Sequence, residues 1–414
     1  MSQSHATIAA RPQRYHDIDG ARSVLMFLSV ALHAGTVYAP ARPWITANTD
    51  SHAFFDWLIF GFHLFVTPTF FFVGGFFTVL LLSRRSVGDF ITNRLVRTGI
   101  PLVSVAVSLN MIEHHLRYID AGGGATFLGW IGSAEFIAIW MDGTWALHLW
   151  FLVSLIPMFL LAGAVQCAVP RNSSLRQKVV QFSDKFGLWF GSSAAFAIFL
   201  LLAASANTAN YLAAAQMPGA YDLIFPGFQS WYKLVSEFPF FVIGVMAALS
   251  PGFLAALVRW RGWMPAAAAL ALLVQPYPDE SQSQLVSLAM LFANQLAIWT
   301  IVLFILQFFH RYFFAGGPKT AWLADCALTM YLLHHCLIYA YGQWLVAVDW
   351  PIALEFAILT IVTAATVIVI HEYVVRRFAL ARLLFNGKTD IGAIRKERAE
   401  KAEDSRVSGL LPAE

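Results

Sequence analysis

Apolar runs close to the length of a bilayer crossing recur along the whole of this chain. A transmembrane helix needs about 20 consecutive apolar residues, and within the bilayer the helix itself has to satisfy every backbone polar group. The 414 residues are 58% hydrophobic and only 12% charged, which excludes a soluble enzyme. The pattern predicts an all-α polytopic membrane protein with about ten transmembrane helices. The predicted spans cover approximately residues 23–41, 54–82, 99–113, 145–169, 187–206, 230–250, 263–275, 285–309, 320–342 and 352–372.

Two of these runs depart from a simple crossing. The seventh, 263–275, is too short to cross the bilayer unaided. The second, 54–82, is too long for a helix perpendicular to the membrane, and it contains Pro68 and the pair Gly74-Gly75. We therefore expect the second helix to be tilted or kinked.

The distribution of positive charge predicts how the helices are oriented. If the N-terminus lies in the cytoplasm and successive spans alternate in direction, 24 of the 27 lysine and arginine residues fall on the cytoplasmic side. Only Arg42, Arg117 and Lys233 then fall outside. Cytoplasmic loops of membrane proteins carry such an excess of positive charge. We therefore expect both termini in the cytoplasm and the 114–144 segment outside.

The sequence predicts one membrane domain with a short extension at each end. Residues 17–375 form the predicted transmembrane domain, preceded by a cytoplasmic arm, 1–16, and followed by a charged cytoplasmic tail, 376–414, that is partly disordered. The first helix is expected to be retained, because Asp17 and Asp19 interrupt the charged region of a would-be signal peptide. The three cysteines have neither the number for a disulfide framework nor the spacing of a metal site, so we expect no metal.

Arg22 and His33 are separated by ten residues at the start of the first apolar run. Eleven helical steps of 100° bring both side chains to one face of a helix, with a rise of roughly 16 Å between them. This spacing puts a cation at one end of a membrane helix and a titratable base near its middle. Ionisable groups at such depth are costly and usually functional. Taken alone, His33 also fits a core histidine bonded to a neighbouring helix.

Other histidines accumulate on one side of the predicted topology. Those at mid-membrane or on the outer side are His33, His52, His63, His114, His115, His148, His334 and His335. Glu113 and Glu237 join them at the outer ends of the third and sixth helices. Because hydrocarbon does not tolerate these groups, they must face one another or water. We expect a polar chamber that opens outward and is lined by groups fit for proton transfer, with His52 and His115 as surface residues.

Arginines cluster on the predicted cytoplasmic face between the second and third helices. Arg94 and Arg97 are three residues apart and share a helical face, which suits the capture of phosphate groups. Arg84 and Arg85 are explained by membrane orientation and snorkelling. For Arg94 and Arg97 both interpretations stay open.

Four motifs, in order along the chain, resemble those of the membrane acyltransferase type 3 family. They are Asp17-Ile-Asp-Gly-Ala-Arg22 with His33, Pro68-Thr-Phe-Phe-Phe-Val-Gly-Gly-Phe76, Arg94-Leu-Val-Arg97 with Pro101, and Tyr331-Leu-Leu-His334. Two further features, His148-Leu-Trp-Phe-Leu152 and the pair His334-His335, are similar to the family's glucan-biosynthesis protein C subgroup, which adds succinyl groups to periplasmic glucans. One departure concerns the last motif, which often continues His-x-Pro, whereas residue 336 is cysteine.

The resemblance implies an acyl-coenzyme A-dependent O-acyltransferase of the bacterial inner membrane. It implies an acyl-coenzyme A donor bound from the cytoplasm, succinyl-coenzyme A in the subgroup, and no permanently bound cofactor. The acceptor would be a hydroxyl of a periplasmic glucan or another extracytoplasmic glycan, and His33 would be the essential base. We expect no nucleic-acid partner, and the oligomeric state, including a homo-oligomer, is left open.

The residues themselves lead to a compatible mechanism. Coenzyme A is multiply negative and does not cross a bilayer, so its phosphates need a basic mouth, for which Arg22, Arg94 and Arg97 are the candidates. Its extended arm is on the order of the 16 Å rise from Arg22 to His33. The thioester would then lie beside His33, which would take a proton from the acceptor hydroxyl as a general base or carry the acyl group transiently.

Further groups are assigned to the same site. Glu113 is expected to orient His33, while His334 would stabilise the oxyanion or cap the chamber. The candidate residues for binding the acceptor are His63, His148, Trp150, Glu237 and His335.

Two other function classes remain open at this stage. Buried histidines and carboxylates also serve proton relays, so a proton-coupled transporter or exporter of a polar solute is the alternative. A non-catalytic membrane scaffold would leave the polar chamber unexplained. The feature that favours an acyltransferase is the group of arginines on the cytoplasmic side, aligned with a single base. A proton relay does not require such a group.

Overall fold

The computed structural model describes residues 15–41, 50–219, 230–275, 283–313, 315–348 and 350–388. The regular elements of these ranges are helices. In chain order they are α1 (His16–Gly35), α2 (Ala53–His63), α3 (Val66–Leu82), α4 (Val87–Arg94), a π-helical turn (Leu95–Gly99), α5 (Ile100–Ala106), α6 (Leu109–Asp120), α7 (Phe127–Trp130), α8 (Ala134–Met141), a 3₁₀ turn (Thr144–Leu149), α9 (Trp150–Ala168), α10 (Ser174–Trp189), α11 (Ser193–Ala215), α12 (Trp231–Leu249), α13 (Pro251–Val258), α14 (Met264–Val274), α15 (Gln284–Phe313), α16 (Pro318–Val346), α17 (Ile352–Ile370), a second π-helical turn (His371–Val375) and α18 (Ala379–Asn386).

Eight helical segments in these ranges are long and apolar enough to cross a bilayer, which confirms the predicted all-α polytopic architecture. They are Ala53–Leu82, Val87–Asp120, Thr144–Ala168, Ser193–Ala215, Trp231–Leu249, Gln284–Phe313, Pro318–Val346 and Ile352–Val375. The other two of the ten predicted spans are α1 and α14. α14 has only 11 residues, as the sequence indicated, and α1 is 20 residues long but carries charged side chains in its first two turns.

α1 is the central helix of the bundle. It packs against α2, α3, α15, α16 and α17, and most of its residues are buried. Its charged groups therefore face protein rather than lipid. Asp17 lies 2.7 Å from His310 Nδ1, and Asp19 pairs with Arg22 at 3.1 Å. A helix with this many polar groups can occupy the membrane because its neighbours enclose and pair them.

The second predicted run is kinked, as expected. α2 ends at His63, and α3 begins at Val66 after Phe65, whose φ of −133° interrupts the helix. Pro68 lies in the first turn of α3, where its missing N–H interrupts no helical hydrogen bond.

Close packing of α3 on α12 depends on two glycines. A Cβ atom added at Gly75 would lie 2.0 Å from the carbonyl oxygen of Phe241, and one at Gly244 would lie 2.0 Å from that of Phe72. The backbones of the two helices are therefore in direct contact. Small residues at helix crossings are typical of membrane proteins, in which association relies on close van der Waals packing.

The chain continues past the last span as an ordered element. α18 packs on α5 and on the π-helical turn His371–Val375, and its Arg382 and Asn386 are buried. These residues belong to the segment that the sequence assigns to the tail. The remainder of that tail, from residue 389, and residues 1–14 of the N-terminal arm lie outside the described residues.

We expect Gly75→Ala and Gly244→Ala each to destabilise the protein by about 1–3 kcal/mol, because the added methyl group meets backbone that cannot give way. The measurement is the unfolding temperature of the purified protein in detergent. Gly88→Ala is the matched control, since a Cβ at this α4 position has open space around it and alanine is the better helix former. Equal unfolding temperatures for Gly75→Ala and Gly88→Ala would contradict the direct α3–α12 contact.

Candidate active site

Four of the predicted site residues form one cluster of imidazole rings, which we call the histidine cluster: His33, His148, His334 and His335. The ring centroid of His33 lies 5.1 Å from that of His334 and 5.3 Å from that of His335. His148 is 5.2 Å from His334 and stacks on His335 at 4.6 Å. The structure thus unites residues from α1, α16 and the turn before α9. In the described ranges, no three or more His, Cys, Asp or Glu side chains are arranged to hold a metal ion.

His334 is held in a defined tautomer by its own helix. Its Nδ1 lies 2.8 Å from the carbonyl oxygen of Met330, one turn earlier in α16. A carbonyl oxygen only accepts hydrogen bonds, so Nδ1 carries the hydrogen, and in the neutral ring Nε2 has the free lone pair. Among the described residues, Nε2 has no hydrogen-bond partner, and the ring is fully buried. His334 is therefore fixed by its own helix, and its Nε2 is able to accept a proton as a base.

Glu113 orients a different histidine from the one that the sequence suggested. Its Oε2 lies 2.6 Å from Nδ1 of His335, and its Oε1 accepts hydrogen bonds from Arg117 at 2.7 and 3.1 Å. Glu113 and His335 are both fully buried. The expected bond to His33 is corrected by this geometry: α6 faces α16 at this level, so the carboxylate meets the second histidine of the pair.

A strained turn places His148 in the histidine cluster. The preceding Leu147 has φ +43° and ψ −123°, a conformation that side-chain-bearing residues rarely adopt. The side-chain amide of Asn110 donates to the carbonyl oxygen of Trp145 at 2.8 Å, and the hydroxyl of Tyr331 donates to that of His148. Strain of this kind persists only where the surroundings enforce it, and it is concentrated at functional sites.

A cavity of about 490 Å³, which we call the basic cavity, contains all three arginines that the sequence assigned to donor binding. Its charged lining residues are Asp19, Arg22, Arg85, Arg94, Arg97, Asp325 and Lys388. Arg85, which the sequence explained by membrane orientation, thus belongs to this site. Lys388, Asp325 and Tyr331 were missed as site residues, although Tyr331 begins one of the family-like motifs.

The arginines of the basic cavity are held by the helices around it. The guanidinium group of Arg94 donates to the carbonyl oxygen of Phe77 at 3.3 Å, and that of Arg22 lies 5.6 Å from the Phe77 ring centroid. Arg97 is exposed and lies on the π-helical turn Leu95–Gly99. Pro101 has no N–H to donate to the Arg97 carbonyl oxygen four residues earlier, which accounts for the altered hydrogen bonding of this turn.

The basic cavity leads toward the histidine cluster. Residues of α16 line this cavity on successive turns from Ala321 to Tyr331, over a rise of roughly 15 Å along the helix. His334 follows on the next turn. The ring of Tyr331 lies 5.3 Å from that of His148 and 6.3 Å from that of His334. A ligand that enters among the arginines can therefore extend to Tyr331, beside the histidines.

The remaining predicted acceptor residues lie at other places. His63 is exposed at the end of α2, outside the histidine cluster. Trp150 and Glu237 are grouped through Lys233, whose amino group lies 3.6 Å from the Trp150 ring centroid and which precedes Glu237 by one turn of α12. The structure thus brings His148 and His335 into the cluster and leaves Trp150 and Glu237 in a second polar group.

A family model described as an acyltransferase domain matches residues 15–372. The chain is similar to the "Glucans biosynthesis protein C" of Escherichia coli (strain K12), with 23% identity over 392 residues that cover 91% of this chain and 95% of the relative. The protein of the same name from Shigella dysenteriae serotype 1 (strain Sd197) is 24% identical over 393 residues, with the same coverage of both chains. No solved structure matches the chain. The histidine cluster lies inside the matched range, whereas Lys388 lies beyond it.

We expect Glu113→Gln to lower the stability of the protein by about 1–3 kcal/mol, because the amide cannot replace the charge shared with Arg117 and His335. The unfolding temperature in detergent measures this effect. Glu135→Gln, at an exposed position in the first turn of α8, is the control and should change the unfolding temperature far less, since its carboxylate is screened by solvent. An unchanged value for Glu113→Gln would mean that the buried carboxylate does not hold these two groups.

Proposed function

Because the chain belongs to the membrane acyltransferase type 3 family, we propose that it moves an acyl group from acyl-coenzyme A to a hydroxyl of an extracytoplasmic glycan. The observation that carries this proposal is the single cavity that has Arg22, Arg94 and Arg97 in its lining and Tyr331, beside the histidine cluster, at its far end. A donor with phosphates at one end and a thioester at the other fits this arrangement.

The basic cavity suits the donor in charge and in length. Five cationic and two acidic side chains line it, so the lining carries an excess of positive charge for the phosphates. The rise from Arg22 to His33 along α1 is roughly 16 Å, on the order of the extended pantetheine arm. Orientation supports the same assignment, since the positive-inside bias puts the arginine end in the cytoplasm, where acyl-coenzyme A is made.

The acceptor would approach the histidine cluster from the opposite side of the membrane. His63, Trp150 and Glu237 are the polar and aromatic groups proposed to meet it there, together with His148 and His335. The relatives are named for glucan biosynthesis, and on this basis a periplasmic glucan is the proposed acceptor. Succinyl is the acyl group proposed from the subgroup resemblance, with the bacterial inner membrane as the location.

In the proposed reaction a histidine removes the proton of the acceptor hydroxyl as its oxygen attacks the thioester carbonyl carbon. The carbon–sulfur bond then breaks, and the proton passes from the imidazole to the departing thiolate. His33 is the proposed base, or a transient acyl carrier in a two-step transfer. The Glu113–His335 pair would stabilise the charge that develops on the carbonyl oxygen or on the imidazole. Neutral His334, whose Nε2 has no hydrogen to donate, is not suited to the oxyanion role that the sequence suggested for it.

We expect His33→Ala to abolish acyl transfer while the protein stays folded in the membrane, because a half-buried imidazole contributes more to the chemistry than to packing. The measurement is acylated glycan per unit of membrane-inserted protein. His52→Asn is the control, since His52 is an exposed N-cap of α2 and asparagine caps a helix equally well. Near-normal activity of His33→Ala combined with an inactive His334→Ala would transfer the role of base to His334.

Binding of coenzyme A separates an acyltransferase from a transporter. Arg94→Ala should weaken this binding by about 1.5–3 kcal/mol, the range for a charge-assisted contact, and Arg97→Ala by less because Arg97 is exposed to solvent. His33→Ala should retain the wild-type affinity, since its ring lies away from the arginines. Calorimetric titration of the purified protein with coenzyme A measures these changes.

The control for lost positive charge is Arg311→Ala, because Arg311 stacks on Trp260 and does not line the basic cavity. Sealed vesicles test the orientation: coenzyme A added outside should bind in inside-out vesicles and not in right-side-out ones. Wild-type protein without saturable binding would defeat the acyl-donor proposal and favour the proton-coupled transporter.

A further inference from the structure

We propose that Lys388 is a further binding residue for the phosphate groups of the donor and that residues 379–388, the C-terminal segment, form one wall of the donor site. This inference rests on the proposed function, since it takes coenzyme A as the donor. No chemistry was predicted for this segment, and it follows the end of the range matched by the family model.

Lys388 is half-buried and lines the basic cavity together with Asn386. The same cavity contains Arg22, Arg94 and Arg97, so a phosphate that reaches these arginines is also close to the lysine. A lysine ammonium group is a compact charge on a flexible stem and can follow a phosphate over a short distance. Lys388 can therefore contact a phosphate of a ligand whose other phosphates are bound by the arginines.

Asp325 holds Lys388 at the basic cavity. The Lys388 ammonium group donates to the Asp325 carboxylate. Three other basic groups surround the same carboxylate, His371 at 3.5 Å, Arg376 at 3.8 Å and Arg382 at 3.9 Å. Because these neighbours remain, Asp325 stays paired when Lys388 turns toward a phosphate. One carboxylate thus keeps the lysine in place without neutralising the whole group of cations.

Backbone contacts fix the C-terminal segment independently of this ion pair. The side-chain amide of Asn386 donates to the carbonyl oxygen of Asp325 at 2.9 Å, and the hydroxyl of Thr329 donates to that of Phe385 at 3.3 Å. Both bonds tie the end of α18 to α16, the helix along which the basic cavity runs. The backbone position of Lys388 is therefore set by these bonds, whereas the ion pair with Asp325 orients its side chain.

Gly387 brings the segment directly against Arg97. It ends α18 with φ +60°, and a Cβ there would lie 2.5 Å from Cα of Arg97. Only glycine allows both the left-handed conformation and this approach. The residue after it, Lys388, is thereby placed next to the exposed arginine of the π-helical turn, and the two cations form one rim of the basic cavity.

Calorimetric titration of the full-length protein with coenzyme A and with 3′-dephospho-coenzyme A tests this proposal. Lys388→Gln should lower the affinity for coenzyme A roughly tenfold, as expected for a charge-assisted contact that is only half-buried. Lys388→Arg should retain most of the affinity. Gly387→Ala should also weaken binding, because the segment has to move away from Arg97.

The matched control is Lys319→Gln, which removes an exposed lysine from the first turn of α16 without touching the basic cavity. A loss confined to coenzyme A assigns Lys388 to the 3′-phosphate, whereas an equal loss for both ligands assigns it to the diphosphate, and either result supports the proposal. Wild-type affinity in Lys388→Gln, with saturable binding in the wild-type protein, overturns this inference alone. Absence of saturable binding in the wild-type protein overturns the proposed function and this inference with it.

Discussion

The cost of placing an ionisable group in hydrocarbon governs this structure. A charged or strongly polar side chain at membrane depth has to face protein or water, and α1 carries several of them from Asp17 to His33. The bundle meets this requirement by enclosing α1 within five other helices, so that each polar group has a protein neighbour. Spans without charged side chains, such as Ser193–Ala215, are free to take lipid-facing positions. The central place of α1 and the location of the polar site follow from the same constraint.

Enclosure of α1 also determines how the two polar regions are connected. The basic cavity and the histidine cluster both lie along α1 and α16, and Tyr331 stands between them with its hydroxyl on the backbone of His148. The strained Leu147 allows that backbone to come so close. The site is therefore assembled from two long helices and one distorted turn, which leaves little freedom in the distance between arginines and histidines.

Much of this arrangement could be predicted from the sequence because it depends on local periodicity. Helical spacing on one element placed Arg22 with His33 and Arg94 with Arg97, and apolar runs gave the spans. The partner of Glu113 could not be predicted in this way, since it is set by packing between α6 and α16, which are 222 residues apart in sequence at this contact. Composition was misleading for residues 379–388: they were included in a solvated tail because of the charge-rich stretch that follows them, whereas the structure pairs their two charged residues, Arg382 and Lys388, with Asp325.

The proton balance of the proposed reaction explains why the two regions need to meet. A hydroxyl loses a proton and a thiolate gains one, so acyl transfer consumes no proton from either side of the membrane. One base can carry that proton between the two reactants only if both reach it, the thioester through the basic cavity and the hydroxyl from the opposite side. A proton-coupled transporter exchanges protons with water on both sides and has no need of a cavity that holds phosphates at a fixed distance from an imidazole. A basic cavity that ends at Tyr331, beside the histidine cluster, is thus an arrangement that fits the proposed acyl transfer across a membrane.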